Sequence, residues 1–207
     1  MLFSDKRIAA TINSKFEAVW QSLRPVPMVT VDFGNGIVLH RTLHGNIATF
    51  VCNGGGNVLD VLPGIYAPEA YDEHLTRLSQ VHGKMTMRYG ANPGAKVLSA
   101  YHQETLNRIT RLPTAVTSSF LAPRTVNPAH DLLGAKANDL ASWAALQRDT
   151  EINEGIRRVK IHRKLAKLGS VRPRDITKWL YREILDADLD DPYMGLREAL
   201  IDSHPNK

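Results

Sequence analysis

The sequence predicts an α/β protein: a mixed sheet with helices packed on it, followed by a mainly helical extension. Three observations carry this. Between residues 28 and 62, short apolar runs alternate with Gly- and Asn-rich turns, the pattern of strands joined by hairpins. From Pro68 onward, apolar residues return every three or four positions, as they do along one face of a helix. The 207 residues are 43% hydrophobic and 23% charged, an ordinary globular composition with enough apolar material for one good core or two small ones.

The elements follow in order. Ser4 is the expected N-cap of a first helix over roughly 5–20. Asp5 sits in its first turn, and Ile8, Ile12, Phe16 and Val19 form its apolar face. Pro25 and Pro27 stop it. Met28 to Phe33 and Ile37 to Leu43 read as two strands joined at Gly34-Asn35-Gly36, because Asn-Gly accepts the positive φ angles of a tight hairpin turn. Ile47 to Cys52 and Val58 to Leu62 are a second strand pair, separated by the turn Asn53-Gly54-Gly55-Gly56-Asn57. Pro68 opens a helix at the position where its missing N–H costs nothing. Tyr71, Leu75 and Leu78 supply the buried stripe of that helix. Residues 83–94 read as a connector and 95–111 as a helix. Residues 112–130, with Pro113, Pro123 and Pro128, read as an irregular excursion. Helices are expected at about 131–147, 150–168 and 174–187, with a short one from Pro192 to Ile201.

Composition limits the function classes. No stretch approaches the roughly 18 apolar residues of a membrane span, and Met1 to Lys6 lacks the basic-then-apolar layout of a signal peptide. With one cysteine, Cys52, there is no disulfide framework, and a cytoplasmic location is expected for the chain as it stands. An upstream signal segment would make it extracytoplasmic. The net charge of +5 permits an acidic partner without demanding one. Basic residues crowd between Arg157 and Arg182, and Glu183, Asp186, Asp188, Asp190 and Asp191 follow. The two blocks can neutralise each other, or the basic one can face an acidic ligand.

A family resemblance rests on residues 47–78: Ile47-Ala48-Thr49-Phe50-Val51-Cys52, a glycine turn, Val58-Leu59-Asp60-Val61-Leu62, Pro63-Gly64-Ile65-Tyr66 and a helix from Pro68. This resembles the closing β-hairpin and final helix of the thioredoxin-like fold. Phe3 through Phe16 resembles the second part of that family's long active-site helix. The tail Trp179-Leu180-Tyr181-Arg182 through Leu196 is similar to extensions of uncharacterised bacterial thioredoxin-like proteins. The resemblance implies a partial or degenerate thioredoxin-like domain over 1–82, the connector at 83–94 and a helical extension over 95–207. It also places the loop His44, Gly45, Asn46 and Ile47 beside the groove where that family binds peptides. The sequence departs from the family at its chemistry. The Cys-x-x-Cys would lie just before Phe3, and Ile47 or Ala48 stands where a cis-proline is expected. Thiol–disulfide exchange needs an attacking thiolate and a resolving thiol. The expectation is therefore a redox-inactive, non-catalytic scaffold for a protein partner or for self-association. The alternatives are an N-terminally truncated thiol–disulfide oxidoreductase and a nucleic-acid-binding module.

The other candidates for chemistry are weaker. No catalytic residue is assigned and no cofactor is expected. His40 and His44 share a side of a strand but lack the third and fourth ligands of a metal site. Asn53 to Asn57 lacks the Lys-Ser/Thr of a phosphate-binding loop. Asp186, Asp188 and Asp190 begin like a calcium loop, but Asp191 replaces its glycine and Arg197 its final glutamate. On the helix over 150–168, Arg157, Lys160, Arg163, Lys164 and Lys167 fall on one flank. The helix, glycine turn and second helix there faintly echo a DNA-binding helix-turn-helix.

Overall fold

The computed structural model describes residues 3, 5–25, 28–42, 47–111 and 137–193. Asp5 caps α1 (Lys6–Lys15), its carboxylate accepting from the N–H groups of Arg7 and Ile8 at 2.8 and 3.4 Å. The expected cap, Ser4, lies outside the described residues. α1 ends at Lys15 rather than near Trp20. Ile8, Ile12 and Phe16 meet the core, but Val19 is 90% exposed, so the apolar period continues past the point where there is anything to bury it against.

Two strand pairs follow: β1 (Met28–Asp32) with β2 (Val38–Thr42), and β3 (Ala48–Cys52) with β4 (Val58–Pro63). Both pairings are antiparallel and the two sheets are separate, so the mixed sheet expected from the sequence is not formed among the described residues. Register runs Met28 to Thr42 in the first pair and Ala48 to Pro63 in the second, with an irregularity at Val51/Cys52.

α2 (Pro68–Tyr89) passes straight through Gly83 and ends at Gly90, so the first half of the expected connector is helical. Added side-chain bulk at Gly83 would meet nothing, and a single glycine costs a helix only about 1 kcal/mol. α3 (Ala95–Arg111) follows. The helices expected at 131–147 and 150–168 run on as one rod: α4 (Ala137–Ile152), a π turn (Asn153–Arg157) and α5 (Arg158–Leu168). No proline separates them, and Gly155 is absorbed into the π turn. The Thr150 hydroxyl supports the junction, donating to the Leu146 carbonyl and accepting from Ala67 N–H, each at 2.8 Å. Gly169 then turns the chain. A Cβ there would stand 2.7 Å from the Ala95 carbonyl oxygen, so only glycine lets the ends of α3 and α5 approach this closely. α6 (Pro173–Ile184) completes the described helices, with Pro173 at its first turn and Asp175 accepting from Arg172 N–H at 3.1 Å. The excursion at 112–130 and the body of the helix expected from Pro192 lie outside the described residues.

Every residue of β4 is buried, because helices cover it on both faces. Leu62 packs with Ile8, Tyr66, Tyr71, Leu75 and Leu78 of the α1/α2 layer. Val58 and Val61 pack with Ile161, Leu165, Ile176, Leu180 and Ile184 of the α5/α6 layer. Residues from before position 82 and after position 95 therefore share one core. A fully buried Leu in such a layer contributes roughly 1.5–3 kcal/mol. Truncating Leu180, which is fully buried, to alanine is expected to cost about 2–5 kcal/mol by transfer plus cavity terms. A urea-unfolding midpoint checks this, and a change no larger than that of a surface substitution would contradict the packing.

Candidate functional site

β4 carries an acid where its neighbours are apolar. Asp60 is fully buried in Val58-Leu59-Asp60-Val61-Leu62, and three helical segments bring charged groups around it. Its Oδ2 pairs with Arg158 Nη2 and lies 3.5 Å from Arg77 Nη2. Arg158 Nη1 binds Glu154 Oε2 at 2.6 Å, and Glu154 Oε1 lies 2.9 Å from His74 Nε2. The ring closes at His74 Nδ1, 3.2 Å from Arg77 Nη2. A His74 carrying its proton on Nε2 satisfies both contacts, donating to Glu154 and accepting from Arg77. Glu154, Arg158 and His162 are spaced by four along the π turn and α5, so they form one stripe. His74 and Arg77 are three apart on α2 and face it.

A branch runs from this ring into α3. His162 Nε2 lies 3.3 Å from Asp60 Oδ1, and His162 Nδ1 lies 3.2 Å from His102 Nδ1. Both imidazoles are fully buried. His162 Nε2 faces both Asp60 Oδ1 and the donor Arg158 Nη2, each at 3.3 Å, and of the two facing Nδ1 atoms one donates to the other. The Tyr66 and Tyr101 hydroxyls border the same cluster without a hydrogen-bond partner among the described residues.

Charge states follow from the surroundings. Burial opposes ionisation of Asp60, but Arg158, His162 and Arg77 outweigh it and hold the carboxyl well below its usual range. Burial also opposes the charge on Glu154, and Arg158 and His74 overcome it, bringing Glu154 down to about 2. Burial works against Arg158 as well, but Asp60 and Glu154 raise its pKa still further. Burial pushes His102 down to about 4, helped by His162 and opposed by Asp60. His162 is likewise lowered, by burial first. At neutral pH the cluster therefore holds two carboxylates, two guanidiniums and uncharged imidazoles at 102 and 162. Its charges engage one another rather than an opening, so its chemistry is that of a clasp tying β4, α2, α3 and α5 together.

The residues singled out in the sequence lie elsewhere. His44, Gly45 and Asn46 are outside the described residues. Ile47 is half-buried, its carbonyl accepting from Gly64 N–H at 2.7 Å. Lys160, Arg163 and Lys167 are exposed on α5. Arg157 and Lys164 are half-buried: Arg157 donates to Asn153 at 2.9 Å, and the Lys164 ammonium stands 5.4 Å from the Trp179 ring centre. The opposed charge blocks meet where Lys178 pairs with Asp190 at 2.8 Å and Arg182 with Asp188 at 3.9 Å. Cys52 is half-buried and packs on the α5/α6 core, and burial pushes its thiol up to about 11. Among the described residues, no group of three or more His, Cys, Asp or Glu is placed to hold a metal ion. No described helix is long and apolar enough to cross a membrane.

Elsewhere on the chain, several large apolar side chains are exposed. Trp20 is 87% exposed beside Val19, and Met28, Phe33, Ile37 and Val38 of the β1–β2 hairpin are exposed too. No protein-family model, no curated protein and no solved structure matches this chain.

Proposed function

We propose that this chain is a non-catalytic protein-interaction scaffold on a thioredoxin-like β-hairpin-plus-helix unit, and that its binding surface is the apolar segment from Val19 to Val38. The observation that carries the reading is the exposure of Trp20, Met28, Phe33, Ile37 and Val38 within one stretch of chain. Large apolar side chains left facing water at such density along the chain favour a surface for another protein. Among the described residues the hairpin forms a sheet of two strands, whose edge donors and acceptors pair with no other described strand. The hairpin and helix of β3, β4 and α2 support the likeness to the thioredoxin fold, and the half-buried, protonated Cys52 supports a role without thiol exchange.

The segment fits a second copy of the chain first, since each copy offers both exposed apolar side chains and, among the described residues, a strand edge with no partner strand. Sedimentation and light scattering across a concentration series are expected to show a dimer or larger species. In Trp20→Asp/Ile37→Asp the equilibrium should move at least tenfold toward monomer. Both positions are exposed, so the variant keeps its fold. A monomer at every concentration, or association indifferent to both substitutions, would overturn the reading.

A further inference from the structure

We infer that the cavity between the β3–β4 turn, the α2–α3 linker and the α5–α6 linker binds a phosphate group, free or as a small monoester. The cavity measures about 410 Å³, the size of a small-molecule site. Asn57, Asn92 and Ser170 line it together with Arg172, Arg174 and Asp175.

The amide wall is fixed in place. Asn57 N–H donates to Asn53 Oδ1 at 3.0 Å, Asn57 Nδ2 donates to Asn92 Oδ1 at 3.0 Å, and Asn57 Oδ1 accepts from the Ser170 hydroxyl at 2.7 Å. Asn92 spends its carbonyl on Asn57, leaving its amino group to donate. Gly55 completes the wall: a Cβ there would stand 2.4 Å from Asn92 Oδ1 and 3.3 Å from Asn53 Oδ1. Asn53, only 6% exposed, lies directly behind this glycine, and its Nδ2 has no acceptor among the described residues. Asn53 Nδ2 is shut away behind the wall, and of the two carboxamides that line the cavity it is Asn92 whose amino group is left to meet a ligand.

The rim settles the sign of the ligand. Two guanidiniums face one carboxylate. The Asp175 carboxylate accepts from Arg172 N–H at 3.1 Å and lies 3.6 Å from Arg174 Nε. It is therefore engaged at the start of α6. The Arg172 guanidinium forms no ion pair among the described residues. The first turn of α3, which begins beside the lining residue Gly94, contains no acidic side chain to offset its partial positive charge. The Asn92 amino group beside a net positive rim suits a multiply charged oxyanion, and guanidiniums suit phosphate oxygens in particular.

Isothermal titration of the full chain with inorganic phosphate and, separately, methyl phosphate tests this, with chloride as control at fixed ionic strength. Saturable phosphate binding is expected, at least tenfold weaker in Arg172→Gln/Arg174→Gln. Both arginines are exposed, so that variant folds, and circular dichroism verifies it. Methyl phosphate binding as tightly as phosphate identifies a monoester ligand, and preference for inorganic phosphate identifies the free ion. Either result supports the site. No saturable heat with either probe, or identical affinity in the double variant, overturns it.

Discussion

Arg158→Met is expected to destabilise the protein by about 3–5 kcal/mol, because it leaves the buried Asp60 and the partly buried Glu154 without their shared counter-charge. Arg158 is 1% exposed and bridges Asp60, itself fully buried, to Glu154. Removing one member of a buried pair is far more costly than removing the pair. Asp60→Leu/Arg158→Met should therefore recover much of what Arg158→Met alone loses, and the double-mutant cycle should return a large coupling energy. The measurement is urea unfolding at neutral pH of the wild type, the two single variants and the double variant. A loss below about 1 kcal/mol for Arg158→Met, the size of a surface ion pair, would show that the clasp carries no weight.

The strands and most helices were legible because each is written in a short local pattern. Gly34-Asn35-Gly36 forces a turn whatever surrounds it, and the short apolar run Val58 to Leu62, bounded by a glycine turn and Pro63-Gly64, is too short for a helix and fits a buried strand. The clasp was not legible for a physical reason: its members come from distant positions, and each has an ordinary local alternative. Arg158 and His162 sit in a basic run that reads as a solvated flank. Yet Ile161 and Leu165 are fully buried on the same helix, and the four-residue spacing of Arg158 and His162 places them beside that face. A charged stripe in register with a buried one was the available signal. Asp60 gave another, an acid at the centre of an apolar strand, which must find a cation or a hydrogen-bond donor. The end of α1 was misjudged for the opposite reason. Val19 keeps the helical period, but period alone does not hold a helix where no partner surface exists.

The clasp also predicts that acid weakens the fold before the carboxylates titrate. His102 stands at about 4 against an ordinary 6.5, and His162 is shifted in the same direction. An imidazole depressed in the folded state binds its proton more readily when unfolded. Stability is therefore full above pH 6.5, falls as pH drops through the interval to about 4, and levels off below it for this group. At 1.36 kcal/mol per pH unit, His102 alone accounts for roughly 3 kcal/mol. The short Nδ1···Nδ1 contact with His162 sharpens the effect, because two imidazoliums cannot face each other with protons on both Nδ1 atoms. Glu154 has its own, lower window: held near 2 against an ordinary 4.5, it contributes stability above 4.5 that is lost as pH falls toward 2. Asp60 acts in the same sense. Urea unfolding at successive pH values should thus show a first decline between pH 6.5 and 5, a region where depressed carboxylates alone predict none. In His102→Gln the wild-type slope over that interval should flatten by up to one proton, while the loss below pH 4.5 remains. A wild-type profile level from pH 7 to 5, or a variant as steep as its parent, would mean that the two rings are not held uncharged between Asp60 and α3.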